Sequence, residues 1–124
     1  MRCRVPVLGH VLIDRQHQRI EQLIRDLDAA VLAEEPVRGL LGQLLRATRR
    51  HFASEDRLMR ISGYRDAGGH QALHRRVVEE MARLHAGLSD GLPMHRKHVA
   101  QMGEWLEHHA SEADRNLVAW LATC

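Results

Sequence analysis

Four short stretches place histidine and carboxylate at spacings that could bind metal: "IDRQH" (Ile13–His17), "HFASED" (His51–Asp56), "HQALH" (His70–His74) and "HHASEAD" (His108–Asp114). His51 and Glu55 are four residues apart, and so are His70 and His74. An i,i+4 pair lies about 40° apart around an α-helix, so both side chains can reach one ion. Taken singly, each group has a plainer reading, such as a core histidine bonded to a carbonyl or a buried His51–Glu55 ion pair. Taken together, His17, His51, Glu55, His70, His74, His109 and Asp114 would be costly to bury without a metal, at roughly several kcal/mol per unpaired charge. Five imidazoles and two carboxylates exceed the ligand set of a zinc centre. Nitrogen and oxygen donors without thiolate suit iron, or manganese, in a two-metal site, with the two-oxygen carboxylates as natural bridges.

Such a site needs elements that aim these groups at one interior. Every long segment has a helical period, and none alternates as a strand would. Ile13, His17, Ile20, Ile24, Leu27 and Val31 form one stripe on a helix expected over about 14–33, with Asp14 as its N-cap. Leu41, Leu44, Thr48, His51, Glu55 and Leu58 or Met59 form the second, over about 37–61, with Pro36 in its first turn. The third begins at Ala67 or Gly69, ends near Leu88 and carries His70, His74, Val77 and Met81. The fourth, about 93–121, carries Met102, Leu106, His109, Ala113, Leu117 and Trp120. The fold class expected is all-α: an antiparallel up-down four-helix bundle with a short N-terminal arm, in a single domain over 1–124. His109 lies in its helix's apolar stripe, whereas His108 falls with Gln101, Glu112 and Arg115 and should face outward. Asp114 is the anomaly. Five residues turn a regular helix by about 140°, so this acid must approach from the side or the helix must be distorted between His109 and Asp114.

Composition excludes several classes. The chain has 124 residues, a net charge of +2 and scattered arginines, and aromatic residues make up 3% of it, so a nucleic-acid surface is not expected. No apolar run suits a membrane span, and no signal peptide precedes the first helix, so a cytoplasmic setting is expected. Cys3 and Cys124 stand at opposite ends of the chain. They read as free thiols of a reducing compartment, although an even helix count would bring the two ends together. Covalent haem lacks its Cys-x-x-Cys-His, and a ferritin-like site lacks its Glu-x-x-His pairs. Of the remaining histidines, His85 reads as core or rim, His10 could fold back to the site mouth, and His95, His98 and His108 read as surface.

In order and spacing, "IDRQH", "HFASEDRLM", "YRDAGGHQALH" and "WLEHHASEAD" resemble the hemerythrins, in particular bacterial hemerythrin domains. The resemblance covers the chain beyond its first dozen residues. It implies one iron held by His70, His74 and His109, and another held by His17 and His51. Glu55 and Asp114 would bridge the two irons, with an oxo or hydroxo group as third bridge. The open position on the second iron would bind dioxygen reversibly, with nitric oxide, azide or peroxide as other ligands. Leu106 would overhang that position, with Trp105, Ala110 and Ile13 around it. Ala110 stands where relatives commonly carry a bulky aliphatic residue, Ile20 and Glu21 where an aromatic is common, and Arg65 where proline usually follows the tyrosine. These departures suggest a roomier pocket. The functions implied are an oxygen carrier, store or sensor. Alternatives are the sensory part of a larger signalling protein, an excised domain being compatible with both chain ends, or a di-iron enzyme reducing peroxide or nitric oxide.

Overall fold

The computed structural model describes residues 3–91 and 93–124, and among them there is no strand. Helices α1 (Val11–Leu32), α2 (Arg38–Ser62), α3 (Ala67–Ser89), α4 (Arg96–His109) and α5 (Arg115–Leu121) follow one another, with a five-residue π-helical turn, Ala110–Asp114, joining the last two. Short connections between long helices give the up-down bundle, with α4, the π turn and α5 as its fourth rod. Gly63 ends α2 in the left-handed region at φ 67°, where a side chain would be strained. No helix among the described residues is long and apolar enough to cross a membrane.

Three helix starts differ from expectation, α4 beginning at Arg96 rather than near residue 93. α1 begins at Val11, and its N-cap is His10, whose ring accepts from the Ile13 N–H at 3.3 Å. Asp14 lies inside the first turn and instead accepts from the N–H groups of Leu8 (2.8 Å) and Gly9 (2.9 Å). The acid therefore ties the arm to the helix, while its charge still suits the positive end of the helix dipole. Pro36 precedes the N-cap of α2, Val37, rather than sitting in the first turn.

α1 packs on α2 and α4, and α2 packs on α3. The α3–α4 seam is more open and holds a groove of about 680 Å³ bordered by Val77, Met81, Met102, Trp105 and His109. The N-terminal arm lies against the bundle: Cys3 is buried with Sγ 3.9 Å from the Gly103 carbonyl, and Arg25 donates to the Cys3 carbonyl at 3.0 Å. Cys3 and Cys124 are both free, one buried and the other exposed. Burial raises the Cys3 thiol to about 11, helped by the charges of Glu21 and Glu107.

The core has two apolar parts. The larger includes Ile20, Leu23, Ile24, Leu27, Leu41, Leu44, Leu45, Met81, Val99, Met102 and Leu106. The smaller consists of Ile13, Met59 and Leu117 with Tyr64 and Leu121 against it. Along each rod, the histidines and carboxylates of interest fall between residues of the two parts, so they form a polar layer across the bundle.

Candidate metal centre

The structure brings all seven candidate ligands into that layer, and none is more than 4% exposed. α1 supplies His17; α2 supplies His51 and Glu55; α3 supplies His70 and His74; the fourth rod supplies His109 and Asp114. The π turn explains the spacing of the last two. Its i→i+5 bonding absorbs one extra residue, so Asp114 comes round nearly to where an i+4 residue of an α-helix would stand.

Every imidazole points Nε2 inward. Asp114 Oδ2 lies 2.7 Å from His17 and 3.6 Å from His51, while its Oδ1 lies 3.0 Å from His70 and 2.9 Å from His109. Glu55 Oε1 lies 3.0 Å from His74, 3.3 Å from His70 and 3.4 Å from His51. The donor atoms fall into two groups that could each hold an ion: Glu55, His70, His74, His109 and Asp114, and His17, His51, Glu55 and Asp114, with the atoms of each group within 4.8 Å of one another. Both carboxylates belong to both groups.

Several inward atoms have no hydrogen-bond partner: His51 Nε2, Glu55 Oε2 and Asp114 Oδ1. Orphaned buried polar atoms are costly unless something binds them. Three of them converging on one layer, in a nitrogen–oxygen donor set, fit iron. The charges are prepared for a cation. Burial opposes ionisation of Glu55, but the facing imidazoles of His109, His70 and His74 outweigh it and hold the carboxyl at about 2. Asp114 is likewise held well below the usual carboxylate range, against burial, by His109, His17, His51 and His70. Burial works against protonation of His70, yet Asp114 and Glu55 push it up to about 9, and they raise His109 too. His74 shifts down, through burial and through the neighbouring charges of His70 and His109.

A sequence comparison agrees with this geometry: the family model for the hemerythrin HHE cation binding domain matches residues 8–121. The chain belongs to the hemerythrin family. It is 31% identical over 116 residues to a bacteriohemerythrin of Pseudomonas aeruginosa, covering 89% of this chain and 73% of that protein. A bacteriohemerythrin of Stenotrophomonas maltophilia is 29% identical over 116 residues, covering 87% and 72%. A myohemerythrin of Theromyzon tessulatum is 24% identical over 102 residues, covering 82% and 77%. A solved crystal structure, that of a leucine-to-phenylalanine mutant, shares the fold, with a TM-score of 0.86 at 22% identity over 93% of this chain and 90% of that one.

Of the four residues expected around an oxygen pocket, Trp105, Leu106 and Ala110 follow one another on the fourth rod, and Ile13 lies on α1. Leu106 belongs to the larger apolar part and Ile13 to the smaller. Each precedes a candidate ligand, but α1 and α4 run antiparallel, so "before" means opposite sides of the polar layer. Ala110 is fully buried in the π turn, and half-buried Trp105 stacks on His109 with ring centres 4.8 Å apart. The other histidines lie away from the layer. His108 is exposed beside Glu112, His10 caps α1, and His85 Nε2 sits 3.3 Å from where a Cβ on Gly42 would be.

Three contributors went unassigned in the sequence. Phe52 stacks on His74 at 3.7 Å and 5°, and Gln16 and Ser54 stand behind His51. Their only signal was position: Gln16 and Phe52 each adjoin a candidate ligand, and Ser54 follows His51 by three residues.

Proposed function

We propose that this hemerythrin domain holds two iron ions and binds dioxygen reversibly. The observation that carries the reading is that Glu55 and Asp114 each belong to both donor groups, which is what a pair of bridged ions requires. His70, His74 and His109 would hold one iron and His17 and His51 the other. The second, with fewer protein ligands, would keep a position free for dioxygen, and an oxo or hydroxo bridge would complete the pair. Bound ferrous iron would supply the electrons with which dioxygen is held. The chain supplies the surroundings. The apolar parts on either side of the layer, Leu106 among them, exclude water, which favours retention of a small neutral ligand. Among the described residues the buried carboxyl groups are Glu55 and Asp114, both held ionised, so no buried carboxylic acid stands ready to protonate dioxygen. That supports binding rather than reduction, as a carrier, store or sensor; nitric oxide, azide and peroxide are small enough to compete. Two free thiols accord with a reducing, cytoplasmic setting.

An iron count with visible spectra of the reduced protein, before and after air, tests this. Two irons per chain and an absorption band that appears with oxygen and disappears on its removal are expected. Less than one iron, with no oxygen-dependent band, overturns the reading.

A further inference from the structure

A chain of hydrogen bonds runs outward from His51. Its inward Nε2 faces Glu55 Oε1 at 3.4 Å and Asp114 Oδ2 at 3.6 Å. Its other nitrogen, Nδ1, lies 2.8 Å from Gln16 Oε1 on α1. Gln16 Nε2 lies 2.9 Å from Ser54 Oγ, back on α2, and Ser54 Oγ lies 3.1 Å from the Arg50 carbonyl. The far end of the chain decides the direction of every bond. A backbone carbonyl only accepts, so the single Ser54 hydrogen is committed to Arg50 and Ser54 can only accept from Gln16. The Gln16 amide must therefore turn its NH₂ to Ser54 and its oxygen to His51. An amide oxygen only accepts, so His51 carries its hydrogen on Nδ1 and presents a bare Nε2 to the layer. That is the tautomer a metal ligand needs. The arrangement is not general to the site: Nδ1 of His17 and Nδ1 of His74 are buried without a hydrogen bond.

We infer that Gln16, anchored by Ser54, is a positioning residue that fixes the tautomer and ring orientation of His51 as a ligand of the two-histidine ion. This rests on the metal-centre reading above. His51 belongs to one donor group only, so losing Gln16 should weaken one ion and spare the other. Outer partners of metal-bound histidines are worth about 10–100-fold in affinity. Gln16→Leu keeps the bulk and removes the acceptor. Gln16→Glu keeps an acceptor and makes it anionic, which raises the basicity of His51.

Titration of the metal-free chain with cobalt(II), followed by its visible ligand-field bands, separates the two ions. Two equivalents should bind the unaltered chain. In Gln16→Leu the weaker site should lose about 10–100-fold while the tighter is unchanged, and Gln16→Glu should restore it. In the iron-loaded protein, Gln16→Glu should also lower the reduction potential. Equal affinity in Gln16→Leu and the unaltered chain overturns the inference, and so does equal weakening by Leu and Glu, which a mere packing role would give. Should Gln16→Leu not fold, Ser54→Ala frees the amide to rotate and should weaken the same site several-fold; no change there overturns the inference. A failure of the unaltered chain to take up any cobalt would overturn the metal-centre reading, and this inference with it.

Discussion

The two halves of the metal layer are supported by different physics. The three-histidine half is held by ring contacts: Phe52 stacks on His74 at 3.7 Å, Trp105 stacks on His109 at 4.8 Å, and His70 meets His74 and His109 edge-on with ring centres 4.5 Å and 4.9 Å apart. The two-histidine half has one ring contact between its own members, His17 and His51 at 4.7 Å, and leans on the Gln16–Ser54 chain. Stacking fixes the plane of a ring without choosing which nitrogen carries the hydrogen. A hydrogen bond to an amide oxygen chooses it. The half with more ligands is thus packed in place, and the half with fewer is aimed.

Asp114 serves both halves, one oxygen facing each, so its loss should erase the difference between them. Asp114→Asn keeps the shape and removes the charge that His17, His70 and His109 share. Iron should fall from about two per chain to below one. Breaking a buried charge cluster costs about 3–5 kcal/mol, so the metal-free chain should melt about 10 °C or more lower by circular dichroism. A variant retaining two irons would show that Asp114 bridges nothing.

Much of this is legible in the chain. Apolar stripes at three- and four-residue steps fix which face of each helix is inward, and that suffices to choose His109 over His108 and to mark Asp114 as misplaced on a regular helix. The π turn that resolves Asp114 follows from the same anomaly. Periodicity gives a face but not the axial register between helices. It therefore cannot show that antiparallel packing separates Leu106 from Ile13, nor link Gln16 to Ser54, 38 residues away. The cap of α1 departs from expectation for a nearer reason: aspartate favours N-caps, but here the arm's own N–H groups at Leu8 and Gly9 occupy the carboxylate of Asp14.

A smaller effect should come from loosening the stacked half, since Phe52 stacks on His74 at 3.7 Å but meets the His51 ring only at 5.8 Å and tilted. Phe52→Leu removes the ring over His74 but keeps the site apolar. We expect a stability loss of about 1–2 kcal/mol in urea unfolding, from the lost stack and an incompletely filled space. The tighter cobalt site should weaken and the weaker one should stay as it was, the reverse of the Gln16→Leu pattern. If both sites weaken alike, the halves are one mechanical unit and the contrast fails.

The smallest effect belongs to Asp56. Its Oδ1 lies 3.4 Å from His74 Nδ1, and by proximity alone it would look like the three-histidine counterpart of Gln16. It differs in two ways. No hydrogen bond joins the pair, since both atoms are without partners, and the Asp56 side chain is 42% exposed. The oxygen facing His74 is itself buried, but the side chain as a whole reaches solvent, which screens its charge, and such pairs contribute about 0–1 kcal/mol. The Phe52 ring already sets the plane of His74. Asp56→Asn should therefore change both cobalt affinities by less than about threefold, a difference well within that range. If it instead weakens the tighter site about as much as Gln16→Leu weakens the other, the stacked half is aimed by hydrogen bonding after all. The two halves would then differ in ligand number but not in how their ligands are held.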